Sequence, residues 1–347
     1  YYVCHNMENI NNLINAVKYY EYKYGPISYL ESNNEYWLES DAKLREIFNI
    51  TTGFMPSDLI KCNHKSKMKA FYKKAKVKTA KYILVEDFDQ VKNFALEVGY
   101  PIFIKPDMGV GAAGDFKINN DEDIKLFFDE KIDGVTYICE QYITGDIISF
   151  DGVCNSRSEP IFASSSCFPP SVSEVLKQGH DFFYYTLPRV PKDLEEIGKR
   201  VLKAFEVKNR YFHFEFFRLT KDIKGVGKVG DIVGLETNMR PPGGFTPDLI
   251  NFANSVNSYQ IYADSMMFDG NRQYMHHEKY YAACASRRDY KNYLYSDEEI
   301  LSIYHNNICA YGRYPDVFSG VMGNRYFMAK FSNKTELIKF QKIVGKQ

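Results

Sequence analysis

A glycine-rich stretch between two runs of strand-like residues constrains the fold of this chain most strongly. The stretch is YPIFIKPDMGVGAAGDFKI (residues 100–118), in which the apolar run Ile102 to Ile104 is followed by Gly109, Gly111 and Gly114 in the spacing G-x-G-x-x-G. That spacing is typical of dinucleotide-binding folds, in which a helix begins inside the glycines and its N-terminus meets the pyrophosphate.

The residues after the glycines favour a different fold. Asp115 to Ile118 alternates polar and apolar side chains, which predicts a second strand, and a helix is predicted to begin only near Asn120 or Asp121. The sequence therefore predicts two strands joined by a glycine flap (residues 109–114) whose backbone N–H groups could cradle a triphosphate. Lys105 ends the first strand, where it could reach the phosphates from beside the flap. A surface lysine next to a plain connecting loop is the alternative.

The rest of the chain predicts a mixed α/β fold, because helical and strand patterns alternate along it. Helices are predicted at residues 8–24, 35–48, 65–76, 87–98, 192–207, 246–254 and 258–268. Further strands are predicted at residues 27–30, 81–85, 136–140, 146–154, 159–168, 211–219 and 231–239. Residues 169–188 are predicted to form a loop, and the residues after about 274 show no regular pattern.

A pair of predicted strands near residues 211–240 carries acidic side chains on one face. His213 and Glu215 are two residues apart and share a face of the first strand, while Glu236, Asn238 and Arg240 share a face of the second. Carboxylate and amide oxygens on an otherwise apolar strand are costly unless a positive charge neutralises them. Mg²⁺ binds such oxygens together with substrate phosphates, so the strand pair predicts a metal site. The alternative is a solvated face paired with arginine or lysine.

Composition excludes several classes of protein. The chain of 347 residues has 44 basic and 44 acidic side chains, and this balance argues against nucleic acid as the main partner. No apolar stretch approaches the roughly 20 residues that cross a bilayer, so no membrane partner is expected. The seven cysteines are scattered and form no C-x-x-C pair, as expected for reduced thiols in a cytoplasmic protein.

Four motifs in this order resemble the nucleotide-binding core of the ATP-grasp superfamily, which includes biotin carboxylase, D-alanine–D-alanine ligase and many carboxylate–amine ligases. They are residues 100–118, YICEQYITGDIISFDGV (residues 137–153), the strand that carries Glu215, and LETNMRPPGG (residues 235–244). The resemblance covers roughly residues 25–270. It implies an α/β (α+β) fold whose two lobes grip ATP.

The domains that the resemblance implies are an incomplete N-terminal pre-ATP-grasp α/β domain at residues 1–60, an ATP-grasp domain at residues 61–273 and a C-terminal α/β segment at residues 274–347. Within the ATP-grasp domain, residues 61–141 would form the first lobe with the glycine flap. Residues 142–273 would form the second lobe with the metal site.

The resemblance also implies site residues. Lys65 resembles the first ATP lysine, with Lys67 as the alternative register, and Lys105 resembles the second. The other residues expected at the nucleotide are Gly109, Gly111, Ala112, Ala113 and Gly114 in the flap, Glu140, Gln141, Tyr142 and Ile143 in the hinge, and Asp146 at the ribose. Glu215, Glu236 and Asn238 resemble the metal ligands, and Arg240 and Lys105 the catalytic cations.

The activity that the resemblance implies is ATP-dependent ligation, in which a carboxylate is phosphorylated and an amine or similar nucleophile displaces the phosphate. ATP and Mg²⁺ are the expected cofactors, Mn²⁺ being an alternative ion, and the expected partners are a small carboxylate and an amine. A homodimer is compatible with the sequence. Two other classes stay open, namely an NAD-dependent oxidoreductase that uses the G-x-G-x-x-G and a non-catalytic ATP-binding regulatory module.

Overall fold

Two antiparallel sheets organise the chain in a computed structural model, which describes residues 1–109, 114–169 and 179–347. The smaller sheet has the strand order β1-β4-β2-β3. Its strands are β1 (Tyr82–Leu84), β2 (Ile102–Pro106), β3 (Phe116–Ile118) and β4 (Tyr137–Gln141). Helices α5 (Phe88–Val98) and α6 (Asp121–Glu130) cover it and share its apolar core.

The larger sheet has nine strands within the described residues, in the order β10-β9-β5-β7-β8-β11-β13-β12, with β6 paired to β5. Its first six strands in chain order are β5 (Gly145–Cys154), β6 (Pro160–Ser164), β7 (Ser166–Cys167), β8 (Phe183–Thr186), β9 (Arg210–Leu219) and β10 (Ile232–Asn238). Its last three are β11 (Tyr281–Arg287), β12 (Ile308–Arg313) and β13 (Arg325–Phe331).

The remaining α-helices precede the smaller sheet or pack on the larger one. They are α1 (Ile10–Tyr24), α2 (Leu38–Ile47), α3 (Ile60–Asn63), α4 (Lys65–Lys74), α7 (Lys192–Phe205), α8 (Thr246–Asn254), α9 (Ser258–Phe268), α10 (Asp297–Ile303), α11 (Ser319–Met322) and α12 (Lys334–Val344). No helix in the described part of the chain is long and apolar enough to span a bilayer.

A close contact between α4 and β10 brings the two sheets together at one cleft. Tyr72 of α4 is fully buried, and its ring lies so near Gly234 of β10 that a Cβ atom there would stand 2.5 Å from it. The amide of Gly234 also donates to the carbonyl of Lys78, and Thr79 forms a bridge with Gly234. Glycine at this position lets α4 approach β10 closely, and the N-terminal end of α4 lies beside the same strand.

The structure confirms the hairpin on either side of the glycines. Strands β2 and β3 pair antiparallel, with Ile102 opposite Ile118, and α6 begins at Asp121 with Asn120 as its N-cap. Residues 116–118 are therefore a strand, where a dinucleotide-binding fold would have its helix. Residues 110–113 lie outside the described part of the chain.

Two predictions from the sequence are wrong. Residues 27–30 do not form a strand, because the carbonyl of Leu30 accepts from Arg45 and that of Ser28 from Thr52, so side chains replace a strand partner. The loop predicted at residues 169–188 contains β8, whose four buried residues pair with β7 and β11. Residues 170–178 of that segment lie outside the described residues.

The C-terminal residues, which show no regular pattern in the sequence, extend the larger sheet. Strand β11 pairs with both β8 and β13, and β12 closes the edge. Residues after 274 thus continue the sheet that carries β9 and β10. The domain boundaries given above remain a prediction.

Candidate active site

Helix α4 presents two buried lysines to the cleft. Lys65 and Lys69 are four residues apart and therefore lie on one face of the helix. This is the buried face, which also carries Met68 and Tyr72. Lys67 is exposed on the other side. The helix register therefore places Lys65, and not the alternative Lys67, in the cleft.

The N-terminus of α4 is fixed by Asp107, which lies two residues before the glycine flap. The Asp107 carboxylate is buried and accepts from the Ser66 amide (2.7 Å) and the Ser66 hydroxyl (2.9 Å), while His64 Nδ1 lies 3.1 Å from it. The Asp107 carbonyl accepts from the Lys65 amide at 2.9 Å. Such bonds satisfy the free N–H groups of a helix N-terminus, so Asp107 joins the helix that carries Lys65 to the strand that carries Lys105.

Lys65 reaches across the cleft. Its Nζ donates to the Gly109 carbonyl at 2.9 Å and lies 3.6 Å from Glu236 Oε1 on β10. One ammonium group thus contacts the base of the flap and an expected metal ligand. This position lies between the two elements that would hold a triphosphate.

Lys69 and Lys105 share the carboxylate of Glu140. Lys105 Nζ lies 2.8 Å from Glu140 Oε2, Lys69 contacts Oε1, and all three side chains are less than 10% exposed. Burial raises the pKa of Glu140, but the two ammonium groups outweigh it and lower the pKa to about 2. Burial lowers the pKa of Lys69, and Glu140 only partly opposes this. For Lys105 the attraction of Glu140 prevails over burial and raises its pKa.

Strands β9 and β10 bring two carboxylates face to face. Glu215 of β9 and Glu236 of β10 are direct partners in the antiparallel ladder, and Asn238 is opposite His213 in the next position on the same face. Like charges directly opposite each other destabilise a sheet by roughly 0.2–1 kcal/mol. The strand register therefore brings Glu215, Glu236 and Asn238 together, and their role as metal ligands remains a prediction.

His213 lies on the same face of β9 as Glu215, two residues before it. Its Nδ1 lies 2.6 Å from Asp151 Oδ1, and Asp151 Oδ2 accepts from Ser149 at 2.5 Å. Burial lowers the pKa of His213, but Asp151 and Glu215 raise it to about 9. Burial raises the pKa of Glu215, and His213, Arg240 and Lys105 together lower it. Glu215 is therefore ionised at neutral pH, as a metal ligand must be.

Arg240 follows β10 and is held by the carboxylate of Glu35, which lies in the N-terminal part of the chain. Its Nε donates to Glu35 Oε2 at 3.0 Å, and Nη2 donates to Asn238 Oδ1 at 3.4 Å. Burial and the nearby Glu236 raise the pKa of Glu35, and Arg240 opposes them. Residues 1–60 therefore contribute an acidic group to the cleft, which the sequence did not indicate.

Comparisons with known proteins agree with this geometry. The family model "Carbamoyl-phosphate synthase L chain, ATP binding domain" matches residues 64–137, the stretch from α4 to the start of β4. D-alanine–D-alanine ligase B from Clostridium perfringens is 31% identical over 165 residues, which are 42% of this chain and 49% of that protein. The chain spans about half the length of the curated relatives it matches.

Two solved structures share the architecture over nearly the whole chain. An L-amino acid ligase from Bacillus licheniformis superposes with a TM-score of 0.69 at 14% identity, covering 97% of this chain and 83% of that one. The biotin carboxylase domain of a 2-oxoglutarate carboxylase from Hydrogenobacter thermophilus, solved as a dimer with MgADP and bicarbonate, has a TM-score of 0.62 at 14% identity and covers 93% of this chain and 74% of that one.

In sequence and in fold, the chain is similar to proteins of the ATP-grasp superfamily. The α/β (α+β) fold class predicted from the sequence is confirmed, and the structure adds that the strands of both sheets pair antiparallel. The smaller sheet lies within the predicted first lobe (residues 61–141), and the predicted second lobe (residues 142–273) would contribute β5 to β10 of the larger sheet.

The donor set of this cleft fits Mg²⁺. In the described part of the chain no group of three or more His, Cys, Asp and Glu side chains converges in a way that could hold a metal on its own. Glu215 and Glu236 are about a quarter exposed and face each other, with the amide oxygen of Asn238 beside them. Two carboxylates and one amide leave room for phosphate oxygens, which is the ligand set that Mg²⁺ takes at nucleotides.

The hinge residues lie where β4 leaves the first lobe. Gln141 is buried and its amide donates to the Lys81 carbonyl at 2.9 Å, while the ring of Tyr142 stacks under Lys117 Nζ at 4.4 Å. Ile143 is buried in an apolar cluster between the lobes. The Glu140 carboxylate is already paired with Lys69 and Lys105. Recognition of adenine by the backbone groups of this hinge remains a prediction.

The structure does not bring Asp146 to the cleft. Asp146 is exposed and lies opposite Arg218 in the β5–β9 ladder, whereas Ser149 lies opposite Glu215. Successive side chains point to opposite faces of a strand, so Asp146 is on the face away from Glu215. A shift of one residue along β5 is sufficient to move a side chain from one face of the strand to the other.

The flap residues are only partly described. Gly109 accepts from Lys65 and has φ +120°, and Gly114 has φ +83°, backbone conformations that favour glycine. Gly111, Ala112 and Ala113 lie outside the described residues. Their expected contacts with nucleotide phosphates remain a prediction.

Sequence reasoning missed three residues of the cleft. They are Lys69, Asp107 and Glu35. Lys69 could have been found from its spacing of four residues from Lys65 on one helix. Asp107 and Glu35 have no comparable pattern, because each acts on an element distant in the sequence.

Proposed function

We propose that this protein is an ATP- and Mg²⁺-dependent ligase that joins a carboxylate to an amine or similar nucleophile and releases ADP and phosphate. The observation that supports the proposal is the convergence of cations from the first lobe and carboxylates from the second on one cleft. Lys65, bonded to the flap at Gly109, lies 3.6 Å from Glu236, which faces Glu215. ATP-grasp relatives that form C–N bonds support the same class of reaction.

The lysines of the first lobe would bind the triphosphate. Lys65 at the N-terminus of α4 and Lys105 at the end of β2 are both buried, so their charges act in a region of low dielectric constant. Asp107 ties their two elements together. Phosphoryl transfer depends mainly on such positioning and charge, and little on covalent chemistry by the protein.

The second lobe would hold the reacting end of the nucleotide. Glu215, Glu236 and Asn238 would hold Mg²⁺, which neutralises charge on the β- and γ-phosphates when bound. Arg240 lies beside Asn238 and would contact the phosphoryl group that moves. Glu35 orients the Arg240 guanidinium through its bond to Nε.

The proposed reaction balances in two steps. A carboxylate oxygen attacks the γ-phosphorus, the bond from that phosphorus to the β–γ bridging oxygen breaks, and ADP leaves. The amine nitrogen then attacks the carbonyl carbon of the acyl phosphate, the C–O bond to phosphate breaks, and the amine gives up a proton. Exclusion of water from the cleft would protect the acyl phosphate from hydrolysis.

A turnover assay tests the proposal. Release of ADP and phosphate with Mg-ATP should require both a carboxylate and an amine, across a panel of amino acids and other small acids. Arg240→Lys should lower kcat by at least about tenfold, because a lysine cannot keep the planar contacts of a guanidinium. Arg218→Lys, on the opposite face, is the matched control and should leave kcat unchanged. Nucleotide binding with no turnover on any pair would favour a regulatory module, and AMP release would contradict the proposed chemistry.

A further inference from the structure

The arrangement of buried charge in the first lobe indicates a further residue of the nucleotide site. Lys69 is buried and lies one helical turn from Lys65 on α4. Burying an ammonium group is costly unless an anion compensates it. Among the described residues, the carboxylate within ion-pair distance of Lys69 is that of Glu140.

Glu140 does not compensate Lys69 alone. It also pairs with Lys105 at 2.8 Å, so one carboxylate serves two buried ammonium groups. Glu236 also attracts both ammonium groups, but its ion pair among the described residues is with Lys65, and Asp115 adds to the attraction on Lys105. The local group of Lys69, Lys105 and Glu140 therefore carries an excess positive charge, which an incoming anion would balance.

The phosphate chain of a nucleotide is the anion that fits this position. Lys69 lies one helical turn from Lys65, which contacts the base of the flap, and shares Glu140 with Lys105, which lies near the end of β2 just before the flap. A purine base carries no charge and would not relieve the excess. An anion that lies along these lysines must be extended, as a di- or triphosphate is.

We infer that Lys69 is a third phosphate-binding lysine of this site, in addition to Lys65 and Lys105. The assignment rests on the proposed function, since it names a group that would bind the same ATP. It gives Glu140 the role of holding two phosphate-binding lysines in place before the nucleotide arrives.

Lys69→Met in the full chain tests the assignment. Methionine fills a similar volume, and Glu140 keeps Lys105 as a one-to-one partner, so the variant should fold. Lys73→Met is the matched control, because Lys73 lies one turn further along the same helix but is exposed. Dissociation constants for ATP, ADP and adenosine, each with Mg²⁺, would be measured by calorimetry without the other substrates.

The expected result for Lys69→Met is at least tenfold weaker binding of ATP and ADP, with adenosine changed less than threefold. Lys69→Arg should recover part of the loss, and Lys73→Met should bind all three ligands as the wild type does. Unchanged ATP binding by a folded Lys69→Met protein would overturn the assignment, as would an equal loss for adenosine, which would limit Lys69 to shaping the hinge. A wild-type protein that binds no nucleotide would refute the proposed function itself.

Discussion

Glu140→Gln should destabilise the protein strongly, because it removes the shared partner of two buried cations. Glu140, Lys69 and Lys105 are each less than 10% exposed, so water cannot solvate the two ammonium groups once the carboxylate charge is removed. Breaking a buried ion pair by removing one partner costs about 3–5 kcal/mol. Lys69, whose pKa is already lowered, can lose its proton and relieve part of this, so we expect a loss of about 3 kcal/mol.

Urea denaturation at neutral pH measures this loss, since urea does not screen charges as a guanidinium salt would. Glu97→Gln is the matched control. It removes the carboxylate of an ion pair with Lys81 at 2.8 Å whose two side chains are 44% and 61% exposed, and such surface pairs contribute up to about 1 kcal/mol. A loss below about 1 kcal/mol for Glu140→Gln, equal to that of the control, would refute the argument that the three charges form a buried unit.

Three further predictions follow from the same geometry. Glu236→Gln should lower turnover by at least about 100-fold because it weakens the proposed metal site, while the free energy of unfolding in urea changes by less than about 1 kcal/mol. Wild-type turnover in the folded variant would count against that site. Because the pKa of Glu140 falls from 4.5 to about 2 on folding, its stabilisation is present above about pH 4.5 and lost toward pH 2, so the stability gap between wild type and Glu140→Gln should narrow over that range. Gly234→Ala should cost about 1–3 kcal/mol in the same unfolding assay because its Cβ would meet the Tyr72 ring at 2.5 Å, whereas Gly243→Ala, which meets nothing within 4 Å, should not.

Local patterns in the sequence predict the parts of this fold that local physics determines. Alternation over residues 115–118 identifies the hairpin, because a strand with one buried face repeats every two residues. The same period places Glu215 and Glu236 on one face, and the antiparallel register then sets them opposite each other. The N-cap at Asn120 fixes the start of α6 for a similarly local reason.

Other features depend on contacts that a single sequence does not display. Residues 27–30 resemble a strand, but Arg45 and Thr52 supply the partners of their carbonyls. The error at Asp146 arises because a shift of one residue moves a side chain to the other face of a strand. The sharing of Glu140 by two lysines joins α4, β2 and β4, so only the assembled tertiary structure brings it about.

The acyl phosphate is the central claim of the proposed function, and an isotope experiment tests it most directly. With a carboxylate substrate labelled with ¹⁸O in both oxygens, the oxygen that attacks the γ-phosphorus leaves with that phosphorus when the amine displaces it. The account predicts one ¹⁸O atom in each phosphate released and none in ADP. Phosphate free of ¹⁸O while product forms, or label appearing in AMP, would contradict it.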